Sequence, residues 1–142
     1  MNIDYIEDLS YEEKIIFLKI FCVLIKMDNN IDNEEISFLK SIAQKYGIDS
    51  ATTLSIIKNT SADYVIEAKH IVKRTHALEL IKELCFLANI DDNLNDAELD
   101  VIIKVADIMG VDNEKLILIN RFVLDNIILN KTGRIILEKE NG

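Results

Sequence analysis

The sequence predicts an all-α fold, a compact bundle of about six or seven helices. Three observations carry that expectation. The 142 residues include no proline and only four glycines, so little interrupts a helix. Apolar residues recur at helical spacing behind Ser, Asp or Asn followed three positions later by Glu, the signature of a capping box. The chain also repeats itself without a gap at an offset of 63 residues, which points to one helix–turn–helix unit used twice.

The elements follow in order. A turn of helix is expected near 2–8. Ser10-Tyr-Glu-Glu13 opens a helix near residue 11 that stays apolar through Met27, with a narrow polar stripe at Glu12, Lys19 and Lys26. Asp32-x-x-Glu35 opens the next, over about 33–46, with Ile31 placed as a hydrophobic staple, and Gly47 stops it. Asp49 caps a short helix at about 50–58, and Ser61 one over 61–72. The second copy begins near residue 76, with the same stripe at Lys82 and Asn89. Asn95-x-x-Glu98, with Leu94 before it, opens a helix over about 96–109 that ends at Gly110. Asp112 caps the last, over 113–130.

The repeat rests on Ile16–Asp49 against Glu79–Asp112, nine identities in 34 positions, among them Cys22 with Cys85, Asp28 with Asp91, Glu35 with Glu98 and Gly47 with Gly110. We expect a single domain over residues 1–133, with repeat units at about 11–49 and 75–112, followed by a C-terminal tail at 134–142. The two narrow-striped helices should form its centre.

Composition excludes several functions. A net charge of −9 with scattered bases argues against nucleic acid. Residues 1–9 contain Asp4, Glu7 and Asp8 and lack a basic start, and no apolar run reaches 18 residues, so neither a secretory signal nor membrane insertion is expected. Cys22 and Cys85 sit in apolar helical runs and read as reduced core thiols of a cytoplasmic protein. His70 and His76 lie about 120° apart on a helix, which is not the i, i+4 metal pair, and read as surface or partly buried histidines. No catalytic motif stands out, and no enzyme is expected.

The stretches MDNNIDNEEI (27–36) and IDDNLNDAEL (90–99) resemble calcium loops. An EF-hand needs glycine at position 6 and a bidentate glutamate at position 12. Here position 6 is Asn33 or Asp96, and position 12 is Leu39 or Ile102, both on the apolar face of the following helix. The loops are therefore interhelical turns, with Glu35 and Glu98 as N3 caps. Asp28 and Asp91 remain: each would close a helix at its negative end, at a cost of about 0.3–1 kcal/mol. The charge concentrates here. Of 25 acids, nine fall in 28–37 and 91–100, without a Lys or Arg, and the other 16 match the 16 bases.

A long apolar helix ending in aspartate, a short turn, and acid-x-x-Glu opening a helix that stops at Gly is similar to the TerB-like family. That family includes tellurite-resistance protein B and the N-terminal domain of a DnaJ-like membrane co-chaperone. Asp28-Asn29-Asn30-Ile31-Asp32-Asn33-Glu34-Glu35 and Asp91-Asp92-Asn93-Leu94-Asn95-Asp96-Ala97-Glu98 resemble its Asp-Gly-x-aliphatic-x-x-x-Glu turn. The glycine is replaced by Asn29 and Asp92, residues that tolerate left-handed backbone. The resemblance spans most of residues 10–130. It implies a fold of roughly seven helices without established enzyme activity, and a part in tellurite and other stress responses or in multiprotein assemblies.

The expectation is a non-enzymatic cytoplasmic protein-interaction or stress-response module with an acidic surface. Its alternatives are a weak divalent-cation-binding protein and a co-chaperone-like domain. Asp28, Glu35, Asp91 and Glu98 are the candidate metal residues. Their oxygen donors favour weak calcium or magnesium binding, and no other cofactor is expected. A protein partner, basic or a second copy forming a homodimer, is expected to meet the acidic turns or the apolar final helix, which carries Leu118, Phe122 and Leu129.

Overall fold

The structure, a computed structural model, describes the backbone of residues 4–26, 32–89 and 95–141 and the side chains of 5–26, 32–89 and 95–134. Among the described residues there are eight helices and no strands, slightly more than the six or seven expected. They are α1 (Asp4–Asp8), α2 (Tyr11–Lys26), α3 (Asn33–Lys45), α4 (Ser50–Lys58), a 3-10 helix (Ala62–His70), α5 (Arg74–Asn89), α6 (Asp96–Ile108) and α7 (Asn113–Asn141).

Local chemistry sets the boundaries. The capping boxes form as the sequence implies. Ser10 Oγ accepts from Glu13 N at 3.1 Å while Glu13 Oε1 accepts from Ser10 N at 2.9 Å. α3 and α6 end alike. Gly47 and Gly110 take φ of +72° and +75°. Ile48 N then reaches back to Ala43 O at 2.9 Å, and Val111 N to Ala106 O at 2.8 Å, the six-to-one bond of a Schellman motif.

α2 and α5 form the centre. From Ile16 to Leu24, α2 buries every residue except Lys19, and α5 buries Ala77, Leu80, Ile81, Leu84, Cys85 and Ala88. Their polar stripes point at the elements that cross them. Lys19 pairs with Glu67 of the 3-10 helix at 3.0 Å and lies 5.1 Å from the ring centre of Tyr64, and Lys26 donates to Thr60 O at 3.3 Å. On α5, Asn89 Nδ2 donates to Asn120 Oδ1 of α7 at 2.8 Å. Lys82 approaches Glu79 to 2.9 Å, a charge contact whose angle is too poor for a hydrogen bond.

Two elements differ from expectation. Residues 62–70 are a 3-10 helix because their apolar residues come three apart. Val65, Ala68 and Ile71 are all buried, and a three-residue turn puts them on one face. The final helix does not stop near 130 but runs 29 residues to Asn141. No proline interrupts it, and Gly133 costs a helix about 1 kcal/mol, too little to break it.

Candidate functional site

The repeat turns hold half of the expected metal residues as caps. Asp32 Oδ1 accepts from Glu35 N at 2.8 Å, and Glu35 Oε1 accepts from Asp32 N at 3.2 Å. Asn95 and Glu98 repeat the exchange at 2.8 and 3.3 Å. Glu35 and Glu98 therefore spend carboxylate oxygens on backbone N–H groups at helix starts, where their charge also suits the dipole. Asp28 and Asp91, with the staple residues Ile31 and Leu94, lie outside the described residues. Leu39 and Ile102, the would-be calcium ligands, are buried in the core at 0% and 1% exposure. Glu34, Asp96 and Asp100 face solvent beside the caps.

The outer face of α7 leaves a row of large apolar side chains uncovered. Leu116, Val123 and Ile127 are buried against the body. Ile117, Leu118, Phe122, Ile128 and Leu129 are 59–68% exposed. At about 100° per residue these five span an arc of about 140° centred opposite the buried stripe. Between residues 117 and 129 the charges on that arc are Arg121 and Asp125, one turn apart. Beside it, Leu118, Ile119 and Phe122 line a shallow groove of about 270 Å³ over Leu78 of α5.

Sequence reasoning missed a third feature. His76 is buried, not superficial, and both ring nitrogens are engaged. Nδ1 lies 2.7 Å from Glu13 Oε2 and Nε2 lies 2.6 Å from Asp8 Oδ2, while Lys73 Nζ donates to the same Asp8 oxygen at 2.8 Å. Each nitrogen faces a carboxylate, so the ring is held as an imidazolium that ties α1, α2 and α5 together. Burial opposes the charge, but the hydrogen bonds to Asp8 and Glu13 outweigh it and hold the imidazole above its usual value. One sequence signal pointed here. Glu13 and His76 stand one repeat apart, at equivalent places in the first turns of α2 and α5.

The thiols offer no nucleophile at neutral pH. Burial pushes Cys22 up to about 11, against a weaker opposing hydrogen bond to Thr60, and burial alone pushes Cys85 up to about 12. Among the described residues no group of three or more His, Cys, Asp or Glu is arranged to hold a metal ion. At His76 both nitrogens are already spent on carboxylates. Among the described residues no helix is long and apolar enough to cross a membrane.

The family model for tellurite resistance protein TerB matches residues 15–121, which span α2 to the first third of α7. No curated protein and no solved structure matches the chain.

Proposed function

The chain belongs to the TerB family, and from that premise we propose that it is a non-enzymatic, cytoplasmic protein-interaction module of the tellurite-resistance type that works through the outer face of α7. The observation that carries the reading is that face. Single exposed leucines are ordinary on a protein surface, but five large apolar side chains on one arc within 13 residues make a patch, and patches of that kind mark interfaces. Two buried free thiols suit a reducing compartment.

The occupant that fits is a second copy. Two α7 helices laid antiparallel about a two-fold axis at residue 123 set Arg121 of each against Asp125 of the other. The same register sets Ile117 against Leu129 and Leu118 against Ile128. The two charges on the face are thus opposite in sign and placed to satisfy each other, as an isologous interface requires.

Light scattering across a dilution series, up to about 0.5 mM, tests this. We expect a dimer with an affinity of the order of micromolar, suited to a small interface. Phe122→Glu should leave a monomer whose melting temperature matches that of wild type at dilutions where both are monomeric. Arg121→Asp should weaken the dimer, and adding Asp125→Arg should restore it. A wild-type protein that stays monomeric at the top concentration overturns the reading. The stress assignment has its own test, growth on tellurite with and without the chain. Equal growth removes the tellurite assignment and leaves the interface intact.

A further inference from the structure

We propose that an aromatic-lined pocket where α1, α2, α3 and α5 meet binds an ammonium group on an apolar stem, with Glu83 as its counter-ion. α7 does not line this pocket, so the inference is independent of the proposed dimer.

The pocket has a volume of about 270 Å³. Five of the nine aromatic side chains of the protein line it: Tyr5, Phe21, Phe38, Tyr46 and Phe86. The inner wall is rigid. Phe21 and Tyr46 are buried with ring centres 6.5 Å apart, and the Tyr46 hydroxyl meets that of Tyr5 at 3.2 Å. Phe38 and Phe86, each 38% exposed, form the lips.

Glu83 is the exception in this apolar lining. The residue is only 9% exposed, and it lines the same pocket as Lys45. Burial raises its carboxyl above the usual range; the charge of Glu79 adds to this and the charges of Lys82 and Lys45 oppose it. A carboxylate largely withdrawn from water gains from a cation brought close to it, and such groups in pockets mark ligand sites. The chemistry that answers it is a cation, which gains both the carboxylate and the negative faces of aromatic rings. An anion would be repelled by Glu83, and a neutral apolar ligand would gain nothing from it. The volume limits the ligand to about the size of a lysine side chain. Lys45, which also lines the pocket, is the protein's own competing ammonium.

The test is calorimetry and amide NMR on the full chain with three probes of one shape: n-pentylammonium, n-pentanol and n-pentanoate. We expect saturable binding of pentylammonium, with shifts centred on Tyr5, Phe38 and Phe86, and binding of the alcohol and the acid weaker by about tenfold or more. Glu83→Gln, which keeps the shape, should weaken pentylammonium by about tenfold, and Lys45→Met should tighten it. A capped Ala-Lys-Ala peptide identifies the source. If it binds with the same dependence on Glu83, the ligand is a protein lysine; if pentylammonium alone binds so, it is a small alkylamine. Equal binding of pentanol and pentylammonium, or no saturable binding of pentylammonium at about 10 mM, overturns the proposal even if Glu83→Gln fails to fold.

Discussion

His76 carries a charge that the fold both resists and rewards, and its consequence is a pH profile. Its folded value lies above the ordinary 6.5, so its contribution to stability is complete below that pH and is lost as pH rises through the folded value. Asp8 lies below its ordinary 3.8, first through Lys73 and then through His76. Glu13 also lies low: burial raises it, but bonds from Ser10 and His76 outweigh that. The two carboxylates therefore contribute above their ordinary range and lose that contribution as pH falls through their folded values. The cluster's contribution should plateau between about pH 4.5 and 6.5 and decline on both sides, while Glu83, whose carboxyl lies high, subtracts stability as pH rises above its ordinary 4.5 in wild type and variant alike. Urea midpoints from about pH 4 to 9 should show His76→Gln destabilised on the plateau and without the decline above pH 6.5. Parallel profiles for both proteins would sink the idea. The sequence could not display this cluster, because Asp8 and His76 stand 68 residues apart and only folding brings them together. The repeat offset from Glu13 to His76 was visible, but a pairing of Glu with His carries no pattern until the copies are docked.

Helix boundaries were the most legible part of the molecule, because caps are local chemistry. The pairs Asp32–Glu35 and Asn95–Glu98 and the stops at Gly47 and Gly110 fall where the residues place them. Asp32→Ala should therefore cost about 1 kcal/mol, read by chemical denaturation. Gly47→Ala should cost about 1–2 kcal/mol from its positive φ alone, since a Cβ there meets nothing within 4 Å. The polar stripes were legible as stripes but not by what they face. Asn89 shows the difference. It is 5% exposed and bonds both Cys85 O, at 2.7 Å, and Asn120. Asn120→Ala removes that acceptor and should cost about 1–3 kcal/mol, while a neighbouring surface change such as Asn126→Ala should stay within about 0.5 kcal/mol.

At the scale of the molecule the duplication explains both the bundle and its asymmetry. In the first copy the chain breaks at Asn59–Ser61, and the 3-10 helix folds back over α2. The equivalent stretch of the second copy, 122–124, reads Phe-Val-Leu and holds no breaker, so α7 packs on α5 and continues straight. Burial on α7 stops at Ile127; of residues 128–134 none is buried. A tail was expected at 134–142, yet absence of a breaker is enough to prolong a helix once its first turns are anchored. The anchored part should then fold without the rest. A chain ending at Asn130 should lose helical ellipticity in proportion to the missing turns. Its unfolding free energy, measured by chemical denaturation dilute enough to keep both proteins monomeric, should stay within about 0.5 kcal/mol of wild type, since none of residues 131–134 is buried. A loss above about 2 kcal/mol would mean that residues beyond 130 help build the body, and the anchored part of α7 would not end at Ile127.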